Sequence, residues 1–276
     1  MSVYARHGIV VRLLYLTVAG GWHLLSIAKF RREETTVVLC YHGVLDGERE
    51  RFRRQVQRIA DWSALHVGPG GPSRRPGRRS RCVRITFDDA FENLLENALP
   101  VLAEFGVPAV VFAVPDNLGR TPQWDMAPGH PERGERIMTA EQLRAISGED
   151  VTIGSHSQTH ADLTRLSVEA LQRELTESRV RLEELTGRPV RDLALPYGAC
   201  NDRVVEMARQ AGYERIYTLE PRVHASQDFG GVIGRFSMAP DVWPIEFYLT
   251  CKGAYVWLHV FRKGISLVRS LFRRGA

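Results

Sequence analysis

The chain is predicted to be an α/β protein, a barrel or open sheet of parallel strands flanked by helices, on three observations. Short β-branched runs alternate with amphipathic stretches, Gly and Pro close those stretches, and polar clusters fall where strands end. At 276 residues, 44% apolar and 25% charged, the chain can bury a full core, which excludes a disordered or fibrous protein.

Taken in order, residues 8 to 28 form the most apolar run, interrupted by Arg12 and His23 and followed by Lys29, Arg31 and Arg32. Three readings compete for it. A membrane-spanning helix is weakened by Arg12, His23 and the Gly20-Gly21 pair. A signal peptide, with Arg6 and Arg12 as its basic region and Ser26-Ile27-Ala28 as cleavage site, is opposed by the basic cluster beyond it. An interfacial or re-entrant helix meets neither objection and is the favoured reading.

Strand-like runs follow at 35–42, 82–87, 109–114, 151–156, 192–197, 215–219 and 232–238. Helical stretches at 51–62, 91–105, 140–146, 168–186 and 202–211 separate most of them. Gly106 with Pro108, and Gly187 with Pro189, mark helix stops, and Ser167 caps the start of the long helix. Residues 68–81, rich in Gly, Pro and Arg without an apolar period, are expected to be a mobile loop. Residues 251–276 predict a basic amphipathic helix, with Trp257, Phe261, Ile265, Val268 and Phe272 at helical spacing. The expected division is therefore an anchor segment over 1–34, a catalytic domain over 35–250 and that terminal helix.

Charge sharpens the division. Arg74, Arg75, Arg78, Arg79, Arg81 and Arg84 crowd one acid-free stretch, and Lys252, Arg262, Lys263, Arg269, Arg273 and Arg274 another. Without these twelve the chain carries 25 basic and 32 acidic residues, so a uniformly basic nucleic-acid binder is excluded. Both ends are expected to meet a membrane surface. Cys40, Cys82, Cys200 and Cys251 form no C-x-x-C pair and read as free thiols.

Three polar clusters end strands, where α/β barrels carry their reactive groups. Asp88-Asp89 closes 82–87, His156 and His160 close 151–156, and Pro196-Tyr197-Gly198 closes 192–197. Two acids leaving an apolar strand need a nearby cation or solvent, and neighbouring strand residues point opposite ways, so the two take different tasks. The plain alternative for them is a helix cap. Two imidazoles with one carboxylate suit a divalent metal with open positions, a set used by zinc hydrolases and by non-haem iron oxygenases. The spare acid beside the ligand set favours hydrolysis, which needs a base next to water.

The combination TFDD, GSHSQTH and LALPYG, from about Val37 to Pro240, resembles the polysaccharide deacetylase family, the NodB-homology domains of carbohydrate esterase family 4. VVLCYHGV is similar to the opening of its exopolysaccharide-deacetylase branch. The resemblance implies a distorted β/α barrel that removes N-acetyl groups from an amino sugar in a polysaccharide or glycoconjugate. It implies Asp88 as general base, Asp89, His156 and His160 as metal ligands with zinc favoured, and Pro196 and Tyr197 lining the groove. The Tyr197 backbone N–H would help hold the oxyanion, a donor typically worth about 3 kcal/mol.

Where many members have an arginine, this chain has Ala194, and Arg235 on a late strand is the candidate replacement. The family's closing leucine-histidine motif has no clear counterpart; Leu258-His259 has the letters but falls in the terminal helix. Trp124 and His42 are candidates for sugar contact, against structural roles as loop anchor and buried histidine. Asp162 is a candidate to orient a ligand imidazole. The membrane-directed ends suggest a lipid-linked sugar and a membrane-associated enzyme, on either side of the bilayer. A glycan-binding scaffold without turnover, or a deformylase or deacylase of a lipid-linked sugar, are the rival readings.

Overall fold

A computed structural model describes residues 8–29, 35–62, 66–68, 71–73, 81–127, 129–225 and 229–258. Its centre is a nine-stranded sheet. In chain order the strands are β1 (Thr35–Tyr41), β4 (Arg81–Phe87), β5 (Ala109–Ala113), β6 (Val151–Ser155), β7 (Asp192–Ala194), β8 (Arg215–Thr218), β9 (Val223–Ala225), β10 (Gly231–Gly234) and β11 (Phe236–Ser237). β10, β8, β7, β6, β5, β4, β1 and β11 lie side by side in parallel, and β9 runs antiparallel to the start of β1. Only Arg235 separates β10, which pairs with β8, from β11, which pairs with β1. One short run of chain therefore joins both ends of the sheet and makes it a nearly closed barrel.

Side-chain alternation divides the apolar residues into two layers. Val38, Phe112, Ala194, Tyr217 and Ile233 fill the barrel interior. Val37, Leu39, Tyr41, Ile85 and Phe87 face outward into the larger core under the helices. Gly154 on β6 leaves room for Phe112: a Cβ there would lie 2.5 Å from the ring. Arg215 grips the buried Asp192 through two hydrogen bonds of 2.6 and 2.7 Å, which neutralises a carboxylate inside the sheet.

The helices cover the outside: α2 (Arg49–Trp62), α3 (Leu94–Asn97), α4 (Leu99–Phe105), α5 (Ala140–Ile146), α6 (Val168–Thr186), α7 (Asp202–Gln210) and α8 (Pro244–Cys251). Ser167 caps α6 by accepting the Ala170 N–H, and Gly187 ends it at φ 66°. The helix expected over 91–105 is broken at Ala98, because Pro100 enters the second piece with no N–H to continue the first. The loop expected over 68–81 begins with structure: β2 (His66–Gly68) pairs with β3 (Gly71–Ser73). Residues 74–80 lie outside the described residues, as does the terminal basic stretch from His259 onward.

α1 (Ile9–Lys29) is a helix as expected, and it packs on the body. Arg12 pairs with the buried Glu246 of α8 and lies 4.1 Å from the Trp243 ring centroid. Tyr15 meets Trp257 edge-on at 5.5 Å, and Ala19 is fully buried. No helix among the described residues is long and apolar enough to cross a membrane.

Candidate active site

The carboxyl ends of β4, β6 and β7 bring the three polar clusters together. Asp88 follows the last residue of β4, and its N–H donates to Tyr41 O of neighbouring β1 at 2.9 Å. The chain then turns through left-handed backbone at Asp89 (φ 70°) and Ala90 (φ 52°). Ser157, His160 and Tyr197 also have positive φ, so all five such non-glycine residues in the described chain lie in the loops of this one site. Strain of that kind persists only where surrounding structure enforces it.

Asp89, His156 and His160 are buried, and one ligand atom from each gathers within 4.8 Å of the others. Asp89 Oδ1 lies 3.6 Å from His156 Nε2 and 3.5 Å from His160 Nε2. These separations are too long for hydrogen bonds, and they suit atoms sharing one ion at about 2 Å each. His156 Nδ1 is 2.8 Å from Ala194 O, which can only accept, so the proton sits on Nδ1 and the Nε2 lone pair faces Asp89. Burial, reinforced by His156, drives the His160 imidazole down to about 2, so it stays a neutral ligand. Burial and the adjacent Asp88 push the Asp89 carboxyl well above its usual range, and its Oδ1 has no hydrogen-bond partner. An orphaned buried carboxylate oxygen facing two neutral imidazoles fits a divalent cation.

Asp88 is held differently. Its oxygens accept from Arg235 Nη1 at 2.6 Å and Nη2 at 2.8 Å, and the Cys40 thiol lies 3.3 Å from Oδ2. Burial would raise this carboxyl, but the Arg235 charge, with His156, outweighs it and holds Asp88 well below the carboxylate range. Arg235 is itself fully buried, anchored also on Thr86 Oγ1 at 3.1 Å. Its place between β10 and β11 sends it from the closure seam into the barrel, 5.4 Å from the Phe112 ring centroid and 5.8 Å from that of Tyr217. The two neighbouring acids therefore occupy different environments: one is a paired anion, the other an unpaired ligand.

A cavity of about 450 Å³ opens over this set, lined by His42, Trp124, Tyr197, His130 and Glu132 among others. Trp124 stacks on His160 at 4.2 Å between ring centroids, and Tyr197 meets the same ring edge-on at 4.8 Å. The two aromatics thus wall the ligand imidazole on two sides. Pro196–Gly198 is a tight turn whose bonds run from the Gly198 N–H to Leu195 O and from the Ala199 N–H to Pro196 O. The Tyr197 N–H takes no part in them, and its side chain is half exposed.

Asp162 does not orient a ligand: its Oδ1 accepts the Thr164 N–H at 3.0 Å, capping a short 3-10 turn, and His160 Nδ1 has no hydrogen-bond partner. His259 lies outside the described residues. Glu132 and His130 escaped sequence reasoning because their loop has no period and no strand end to mark it. Glu132 Oε1 accepts the Gly43 N–H at 3.0 Å, while Asn93 Oδ1 accepts the Val44 N–H at 3.1 Å. These bonds fix the backbone that carries His42 over the cavity.

Comparison with known proteins gives a consistent result. A family model described as polysaccharide deacetylase matches residues 75–216, more than half of the chain. YxkH of Bacillus subtilis is 24% identical over 231 residues, 79% of this chain and 75% of its own length. The poly-β-1,6-N-acetyl-D-glucosamine N-deacetylase of Staphylococcus aureus is 25% identical over 165 residues, 59% of this chain, and the chain spans 56% of that protein's length. Among solved structures, IcaB from Ammonifex degensii shares the fold with a TM-score of 0.62 at 24% identity, covering 79% of this chain and 97% of its own.

Proposed function

The chain belongs to the polysaccharide deacetylase family, and from that premise we propose that it hydrolyses the N-acetyl amide of an amino sugar in a polysaccharide or glycoconjugate. The observation that carries this reading is the convergence of Asp89, His156 and His160 beside a second buried carboxylate held as an anion by Arg235. Asp89, His156 and His160 would hold a divalent ion, with zinc favoured, which when bound would supply a Lewis acid for water activation near neutral pH.

Asp88 is the base placed to take a proton from the water whose oxygen attacks the acetyl carbon. The Tyr197 N–H, free of its own turn, donates to the carbonyl oxygen as negative charge develops. When the carbon–nitrogen bond breaks, the leaving nitrogen needs a proton. Of the imidazoles lining the cavity, His156 and His160 turn to Asp89, and His130 lies 3.8 Å from Glu132. His42, fixed by its neighbours' bonds to Glu132 and Asn93, is the imidazole assigned that proton. Trp124 and Tyr197 offer aromatic faces for a sugar ring at the cavity wall. Location at a membrane, with a glycan still attached to a lipid carrier, completes the proposal, supported by the exposed apolar residues of α1.

The test is incubation of zinc-loaded full-length protein with β-1,6-linked N-acetylglucosamine oligomers and with chitooligosaccharides. Acetate and free amine should appear in equal amounts and stop when the metal is chelated. Oligomer binding without acetate would make the protein a glycan-binding scaffold. Formate or a longer acyl chain released from a lipid-linked sugar, with no acetate, would make it a deformylase or deacylase.

A further inference from the structure

Helix α1 is docked by one face and left open on the other. Arg12, Tyr15, Leu16, Ala19 and His23 recur at helical spacing, and each contacts or packs against the body. The opposite face presents Val10, Leu13, Leu14, Val18, Leu24 and Leu25, exposed by 39 to 77%. So large an apolar stripe is not ordinary solvent-facing surface. It is also rigidly placed. Arg12 forms two hydrogen bonds with Glu246, which is 1% exposed and also accepts the Trp243 N–H.

The surrounding charge points to what would cover it. No acid occurs in the first 32 residues, and Lys252 begins a second acid-free stretch, of which Trp257 meets Tyr15 of α1. Next to the docked helix lies a cleft of about 340 Å³, walled by Trp243 and Pro244 on one side and by Arg51, Arg54 and Arg58 of α2 on the other. These three arginines are exposed and share one helix face. Arg54 has a 3.4 Å contact with Glu50, while Arg51 and Arg58 have no ion pair among the described residues. The cleft's single acid, Asp241, acts on Arg12.

Topology fixes where this surface lies. The connections from β1 to α2 and from β11 to α8 both leave carboxyl ends of parallel strands, the end that also carries Asp88 and His156. The arginine cleft thus begins, at Arg51 and Pro240, at the same end of the barrel as the catalytic mouth and follows α2 away from it.

We propose that α1 lies in the plane of an anionic membrane, its open face in the acyl region and Arg51, Arg54 and Arg58 on lipid phosphates, so that the mouth is held at the bilayer surface. This rests on the membrane location proposed above and adds to it the orientation and the lipid charge. Docking through Arg12 makes α1 part of the body rather than a tethered anchor, so the catalytic mouth keeps a constant height above the lipid.

The experiment is flotation of the full-length protein with phosphatidylcholine vesicles, with and without phosphatidylglycerol, alongside acetate release from a soluble N-acetylglucosamine oligomer. Wild type should float with anionic vesicles and fall off as salt rises. Arg51→Gln with Arg58→Gln should lower anionic partitioning about tenfold or more, and Leu13→Ser with Leu14→Ser should lower partitioning into both vesicle types. Both variants should keep wild-type acetate release, so loss of lipid binding and loss of the deacetylase reading are separate results. Unchanged flotation of the arginine variant overturns the cleft assignment, and unchanged flotation of the leucine variant overturns the helix assignment. Release of the protein by inorganic phosphate at constant ionic strength would make the cleft a site for a free anion. A dimer that forms without lipid and disappears in the leucine variant would make a second copy the true cover.

Discussion

Replacing Arg235 by Met keeps much of the side-chain bulk at the closure seam and removes the charge. Asp88, 2% exposed, then loses two charge-assisted hydrogen bonds and its adjacent cation. Removing one partner of a buried ion pair typically costs about 3–5 kcal/mol. With an unfolding slope of roughly 2–3 kcal/mol per molar urea, the midpoint should fall by about 1–2.5 M. The measurement is urea unfolding of metal-free protein at neutral pH and in mild acid. Asp88 is depressed in the folded wild type, so its pairing stabilises the protein above the ordinary carboxylate pKa and is lost only as pH falls through the lower folded value. In Arg235→Met burial loses its main opponent and raises the carboxyl, so the variant gains stability as it takes up a proton. The gap between the two proteins should therefore narrow as the pH falls from neutral. Asp88→Asn with Arg235→Met should lose less than Arg235→Met alone. A variant within about 1 kcal/mol of wild type at neutral pH would refute the claim that this pair is a buried, mutually dependent unit.

Other consequences follow from the same geometry. His156→Ala and His160→Ala should each abolish stoichiometric metal and the rise in melting temperature that added zinc gives wild type, read by metal analysis and thermal unfolding. His42→Ala should lower kcat by about 100-fold or more while metal content stays at the wild-type level, and unchanged kcat would remove His42 as the proton donor. Gly154→Ala puts a methyl 2.5 Å from two Phe112 ring carbons in the barrel interior. Overpacking of that kind should cost about 1–3 kcal/mol, seen as a lower melting temperature with wild-type metal content.

The barrel was legible because its signals are local. Each parallel strand is a short β-branched run and each long helix carries its own stops, so 35–42, 82–87, 109–114 and 151–156 lie within a residue or two of β1, β4, β5 and β6. The polar clusters were legible for the same reason, since a strand's end is visible in its own sequence. What was not legible depends on partners far along the chain. β9 has three residues and exists by pairing antiparallel with the start of β1. Arg12 reads as a flaw in an apolar run until Glu246, 234 residues later, receives it. Glu132 holds the loop after His42 from a stretch with no period at all. α8 was missed because the apolar pattern continues past it into the terminal stretch, where Pro244 starts the helix and Gly253, at φ 67°, lies just past its end.

The division of labour between two neighbouring acids is best tested by acetate release from β-1,6-linked N-acetylglucosamine oligomers, comparing zinc-loaded wild type with Asp88→Asn at matched metal content. Turnover by wild type and none by a variant that still carries one zinc per chain is the result this arrangement predicts. A variant that deacetylates at the wild-type rate, or that cannot hold zinc at all, would contradict it.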